Sequence, residues 1–184
     1  MRLHVPLVPM GKCLPCSEAI VCKALATRQI LSARGRSDEM DKNAIERAIA
    51  VAVEAHAGQV DKAGKPYILH PLRVMMDVAP DTDEPVVAML HDVVEDCPDW
   101  PLARLATLFA PEVVAAVDAL TRRPDETYEA FVRRAALNKT AAAVKRADLR
   151  DNMNLSRLGS NVSDADLQRL ARYEAAMSIL ADAP

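Results

Sequence analysis

Near the middle of the chain, the stretch Leu90-His91-Asp92-Val93-Val94-Glu95-Asp96 gathers an imidazole and three carboxylates. On a helix, residues four apart share a face, so Glu95 falls over His91 and Asp96 over Asp92. An imidazole beside a carboxylate is a metal-ligand pair, and two more carboxylates one turn further on could handle protons next to that metal. The neighbours Ala88, Met89, Leu90, Val93 and Val94 are apolar, which argues against a solvated charge run. The structural alternative is a hydrogen-bonded His91-Asp92 pair near a helix end.

Other stretches carry chemically able side chains. His70 stands just before Pro71, at the entrance of a predicted helix where the missing proline N–H costs nothing. Asp148 and Asn152 are four apart among small apolar residues, with Lys145 one turn earlier. A carboxylate in such surroundings needs a partner, either a metal or a salt bridge to a nearby arginine. His56 lies on an apolar stripe, where a hydrogen-bonded core histidine is the more common outcome than a ligand. Between them the loop from Gln59 to Pro66 is punctuated by Gly64 and Pro66 and carries Lys62 and Lys65 ahead of the potential site.

The elements that must position these groups read as helices. Hydrophobic residues make up 51% and aromatics only 3%, so the core must come from Ala, Leu, Val, Ile and Met. Apolar residues recur at spacings of three and four, which predicts an all-α bundle. Helices are expected from Asp41 or Asn43 to about Gly58, from Tyr67 to Pro80, and through Val86, Val87, Leu90 and the acidic stretch. Further helices are expected over Leu102 to Phe109, Pro111 to Leu120, Thr127 to Leu137, Lys139 to Leu155, and Ser163 or Asp164 to Leu180. The last should close the bundle as a lid.

At 184 residues the chain suits one domain with a tail. Residues 1–39 hold six basic and three acidic side chains, without sustained periodicity beyond a possible short helix from Glu18 to Ile30. This segment is expected to be a tail, with Met40, just before the first capped helix, as a possible start of translation; the ordered domain spans 40–184. That domain carries 17 basic and 23 acidic residues, a balance of -6, which excludes general nucleic-acid binding. No apolar run is long enough to span a membrane, and a cytoplasmic protein is expected. Cys13, Cys16 and Cys22 read as reduced thiols rather than a zinc site, and Cys97 as a packing residue. The pattern specifies no oligomeric state.

Taken together, His70, His91-Asp92 and Asp148 follow the order H…HD…D, which resembles the HD superfamily of metal-dependent phosphohydrolases. Four motifs narrow the resemblance. Ala55-His56-Ala57-Gly58-Gln59, then Lys62-x-Gly64-x-Pro66-Tyr67-Ile68-x-His70-Pro71, then Leu90 to Asp96, then Lys145-x-Ala147-Asp148 with Asn152-Met153, are similar to the hydrolase domain of the Rel/SpoT alarmone enzymes. The likeness covers about residues 42 to 158.

That resemblance implies a compact HD-domain helical bundle hydrolysing a small nucleotide, guanosine 3′,5′-bis(diphosphate), with Mn²⁺ or another divalent first-row metal and with release of 3′ pyrophosphate. It implies His70, His91, Asp92 and Asp148 as metal ligands, Glu95 and Asp96 as the pair that activates water and shuttles protons, and Lys62 and Asn152 as nucleotide contacts. Arg122 is a further candidate to neutralise phosphate charge. Too little chain follows the motifs for the family's synthetase domain, so a stand-alone hydrolase is expected. One departure concerns the base: Asp61 stands where the family commonly has an arginine to stack on guanine, and an aspartate cannot stack. The competing expectations are a phosphatase acting on another nucleotide and a non-catalytic nucleotide-binding module; the presence of both Glu95 and Asp96 disfavours the latter.

Overall fold

A computed structural model describes residues 43–158 and 163–182. The expectations for residues 1–39, for the thiols of Cys13, Cys16 and Cys22, for Met40 as a start and for capping by Asp41 lie outside the described residues. Those residues form nine α-helices and no strand: α1 (Ala44–Ala55), α2 (Leu69–Met76), α3 (Glu84–Leu90), α4 (Val93–Asp96), α5 (Leu102–Leu105), α6 (Pro111–Leu120), α7 (Tyr128–Ala136), α8 (Lys139–Met153) and α9 (Asp164–Ala181). A short 3₁₀ turn, Leu155–Leu158, follows α8. The described helices include none long and apolar enough to cross a membrane.

The centre of the bundle is α3. Every residue from Pro85 to Leu90 is buried, and the helix packs against α1, α2, α6 and α8. Full burial of a Val, Leu or Met side chain is worth about 1.5–3 kcal/mol, so this short helix is held by its neighbours rather than by its own hydrogen bonds. Around it Ala48, Ala52, Val74, Val117, Val144 and Ala147 complete the main core. A second, smaller cluster joins Phe131 and Val132 of α7, Ala142 and Leu149 of α8, and Ala176 and Leu180 of α9.

Local signals set most helix ends. Thr127 and Asn138 accept the N–H groups of Ala130 and Ala141 at the starts of α7 and α8, and Ser163 forms a reciprocal capping box with Asp166 at the start of α9. Three predicted spans differ. Asn43 stands before α1 with helical backbone angles and makes no side-chain cap bond. The helix α2 stops at Met76, one turn before Pro80, with Asp77 drawn off by Arg150 Nε at 2.6 Å. Beyond α5 the chain continues in tight turns, because the Thr107 hydroxyl takes the Arg104 carbonyl that a longer helix would use.

A fourth difference bears on the site. The stretch from Leu90 to Asp96 is two helices, broken at His91 and Asp92. The buried His91 ring donates from Nδ1 to the Ala88 carbonyl at 2.7 Å, and this bond competes with the backbone ladder there. The Asp96 N–H still bonds the Asp92 carbonyl at 2.9 Å, so one of the two expected stacked pairs keeps its helical register.

Candidate metal centre and cavity

Three separated segments bring the candidate ligands together. His70 comes from the first turn of α2, His91 and Asp92 from the break between α3 and α4, and Asp148 from the middle of α8. His70, His91 and Asp148 each offer a ligand atom within 4.8 Å of the others. His70 Nε2 lies 3.2 Å from Asp148 Oδ1 and 3.5 Å from Asp92 Oδ2; His91 Nε2 lies 3.1 Å from Asp92 Oδ2 and 3.8 Å from Asp148 Oδ1. Asp92 is the most open of the four, its side chain 26% exposed against 3–7% for the others.

The opposite edge of each ring fixes its tautomer. A carbonyl and a carboxylate only accept, so His91 Nδ1 carries the hydrogen toward Ala88, and His70 Nδ1 carries the hydrogen toward Asp151 Oδ2 at 2.7 Å. In the neutral rings both Nε2 lone pairs then face carboxylate oxygens, an arrangement that repels unless positive charge lies between them. His91 Nε2 is buried with no hydrogen-bond partner. An imidazole and carboxylate donor set with this polarity fits a divalent first-row cation.

The titration behaviour agrees. Burial opposes the imidazolium of His70, but hydrogen bonding to Asp148 and Asp151 outweighs it and raises the pKa; for His91, burial is outweighed by Asp92 and Asp148, and its pKa is raised well above the ordinary value. Burial likewise opposes the carboxylates of Asp92 and Asp148, yet His91 holds the first below its ordinary range and Lys145 the second. The cluster attracts positive charge, whether as protons or as an ion.

Around the ligands lies a supporting shell. Lys145 Nζ donates to Asp148 Oδ2 at 2.8 Å and Asn152 Nδ2 to Asp148 Oδ1 at 2.5 Å, so the partner of this buried carboxylate is a lysine and an amide rather than an arginine. Tyr67 Oη donates to Asp92 Oδ2 at 2.5 Å. Tyr67 and Asp151 are absent from the candidates read in the sequence. Asp151 had a legible signal, being one helical turn after Asp148.

His70, Asp92 and Asp148 line a cavity of about 630 Å³, the size of a small-molecule site, and His91 is buried beside them without lining it. Glu95, Asp96, Lys62 and Asn152 all line it, as do Tyr67, Lys145, and Arg169 and Tyr173 of α9. Burial, together with the charges of Asp92 and Glu95, raises the pKa of Asp96; burial and the charges of Arg169 and Arg172 lower that of Lys62. Arg122 is not among the lining residues. Its guanidinium donates to the Glu126 carbonyl at 2.9 and 3.1 Å, and its backbone N–H donates to Glu95 Oε2 at 3.1 Å. His56 is buried outside the ligand group, its Nδ1 2.8 Å from Gln59 Oε1, as a core histidine.

Asp61 turns its carboxylate onto its own loop. Oδ1 accepts from the N–H groups of Ala63 and Lys65, both at 2.9 Å, and the turn passes through Gly64 at a φ of 71°, a conformation that suits glycine.

Residues 48–153 match the family described as HD domain. The chain belongs to that family. Within it, a probable GTP pyrophosphokinase of Mycobacterium leprae is 33% identical over 125 residues, covering 61% of this chain and 16% of that protein. A guanosine-3′,5′-bis(diphosphate) 3′-pyrophosphohydrolase of Borreliella burgdorferi is 31% identical over 91 residues, covering 48% of this chain and 14% of its own. The HD domain described here thus spans about a sixth of the length of these curated relatives. A solved structure reported under the heading of a metazoan ortholog of SpoT that hydrolyses ppGpp shares the fold, with a TM-score of 0.63, 22% identity, and coverage of 76% of this chain and 86% of that one.

Proposed function

We propose that this HD domain hydrolyses guanosine 3′,5′-bis(diphosphate)-type alarmones with Mn²⁺, releasing pyrophosphate from the 3′ position. The observation that carries this reading is the convergence of the His70 and His91 Nε2 atoms on Asp148, beside a cavity that His70, Asp148, Glu95 and Asp96 line. The relatives' names divide between a pyrophosphokinase and a 3′-pyrophosphohydrolase. A metal flanked by carboxylates suits the second, since hydrolysis needs an activated water and a proton for the leaving oxygen.

His70, His91, Asp92 and Asp148 would hold the ion, which when bound polarises phosphoryl oxygen and lowers the pKa of water. Glu95, fixed by the Arg122 N–H, takes a proton from the water whose oxygen bonds to the phosphorus next to the ribose. The bond from that phosphorus to the 3′ oxygen breaks. Asp96, whose raised pKa inclines it to carry a proton, delivers one to the departing oxygen. Each carboxylate is expected to supply roughly 10²–10⁴-fold. Lys62 and Arg169, from two different elements, meet phosphate charge, and Asn152 keeps Asp148 in register. Arg122 acts through Glu95 rather than on the substrate. A soluble nucleotide substrate sets the cytoplasm as the place of action.

A second reading is a phosphatase on another nucleotide, favoured by Asp61, which leaves its loop without the arginine that would stack on guanine. Incubating the full chain and Mn²⁺ with ppGpp and a nucleotide panel, with products resolved, separates the two. GDP and pyrophosphate are expected from ppGpp; orthophosphate from a different nucleotide, with ppGpp untouched, replaces the first reading by the second.

A further inference from the structure

Behind His70, on the side away from the other ligands, lies a pair of charged residues that the proposed reaction does not use. Asp151 Oδ2 accepts the Nδ1–H of His70 at 2.7 Å. The same carboxylate is gripped by Arg73, whose Nε donates to Oδ1 at 2.6 Å and whose Nη2 donates to Oδ2 at 3.1 Å. The side chain of Asp151 is 9% exposed and that of Arg73 36%. Two one-turn steps generate the arrangement: Arg73 follows His70 by three residues on α2, Asp151 follows Asp148 by three on α8, and these two helices pack together.

We infer that Asp151, clamped by Arg73, is a positioning residue that fixes His70 in the Nδ1–H tautomer and aims its Nε2 at the ion. His91 has a different device for the same purpose, the backbone carbonyl of Ala88. A carbonyl set within the fold needs no orienting partner. The Asp151 carboxylate is on a side chain with two rotatable bonds, and the two-point grip of Arg73 removes that freedom. An anionic acceptor also raises the donor strength of the imidazole more than a carbonyl does, so His70 is the stronger of the two nitrogen donors. The inference rests on His70 being a ligand of the proposed ion.

The test is calorimetric titration of Mn²⁺ into the metal-stripped full chain, with folding followed by circular dichroism. Loss of an outer-shell partner of a metal ligand costs about 10–100-fold in affinity. Asp151→Leu, which has no acceptor, is expected to fall in that range. Asp151→Asn, which keeps an oxygen, recovers part of the loss. In nitrogen-15 spectra of the metal-free protein at alkaline pH, His70 should be the Nδ1–H tautomer in the natural chain and should lose that preference in Asp151→Leu. If Asp151→Leu does not fold, Arg73→Met decides: several-fold weaker Mn²⁺ binding, restored in part by Arg73→Lys, supports the inference, and unchanged binding overturns it. His70→Ala is the control that separates the two layers. If it abolishes Mn²⁺ binding while Asp151→Leu binds like the natural chain, the positioning role is overturned and the metal site stands. If it binds Mn²⁺ like the natural chain, the metal site falls and the inference with it.

Discussion

Tyr67 donates its phenolic hydrogen to Asp92 Oδ2 at 2.5 Å, across 25 residues of sequence, and so steadies the most exposed of the four candidate ligand side chains. Burial and the Asp92 charge raise the pKa of the phenol, which therefore stays a donor throughout the working pH range. Tyr67→Phe removes this single bond and little packing. Mn²⁺ affinity is expected to fall about tenfold, as for loss of an outer-shell partner, with thermal stability nearly unchanged. Equal Mn²⁺ affinity by calorimetry would remove Tyr67 from the site.

Glu95 and Asp96 line the cavity without joining the ligand group. Glu95→Gln and Asp96→Asn should each lower kcat by roughly 10²–10⁴-fold while leaving bound metal, read by elemental analysis, at the level of the natural chain. Retained turnover in either variant would place the proton transfers elsewhere.

The pH response of the metal-free protein has a definite sign. His70 and His91 have raised pKa values in the fold, so their contribution is complete below about 6.5 and is lost as pH rises through the folded values. Asp92 and Asp148 are held low, so theirs is present above about 3.9 and lost on acidification. Without metal, the melting temperature should be highest between these limits and decline above neutrality. Added Mn²⁺ should reverse the decline, because it binds the deprotonated imidazoles and releases protons. A melting temperature that rises with pH in the stripped protein would contradict the assignment.

Asp61 is a brace for the loop that carries Lys62. Asp61→Ala removes the one oxygen that accepts from two backbone N–H groups, two bonds worth about 1 kcal/mol each, and is expected to raise KM up to about tenfold with kcat little changed. Asp61→Arg, designed to restore a guanine contact, breaks the same brace, so its effect must be compared with that of Asp61→Ala. Unaltered KM in Asp61→Ala would show that the loop does not bear on substrate.

Much of this arrangement was readable from local pattern. Pro111, Thr127 and Ser163 announced their helix starts, because proline and side-chain oxygens act within one turn. The candidate ligands stood out as scarce polar side chains in apolar surroundings, and three of them, His70, His91 and Asp148, offer atoms within 4.8 Å of one another. The break at His91 was not, since the hydrogen bond that interrupts the ladder depends on burial of the ring. For Arg122, charge in a basic turn gave no sign of the Glu126 carbonyl that engages its guanidinium. The bonds made by Tyr67 and Arg73 escaped notice because their partners lie 25 and 78 residues away, a relation fixed only when α2, α3 and α8 pack.

The cavity's two sides rest on different foundations. The candidate donors His70, His91 and Asp92 come from segments that bury Val74, Leu90 and Val93 in the main core, whereas Arg169 and Tyr173 ride on a helix seated in the smaller cluster of Phe131, Leu149 and Leu180. Warming, or a truncation at Leu180, therefore strips away the far wall first. Under the proposed function such a protein is expected to let go of the nucleotide while still grasping the cation, making occupancy by the two separable properties of a single fold.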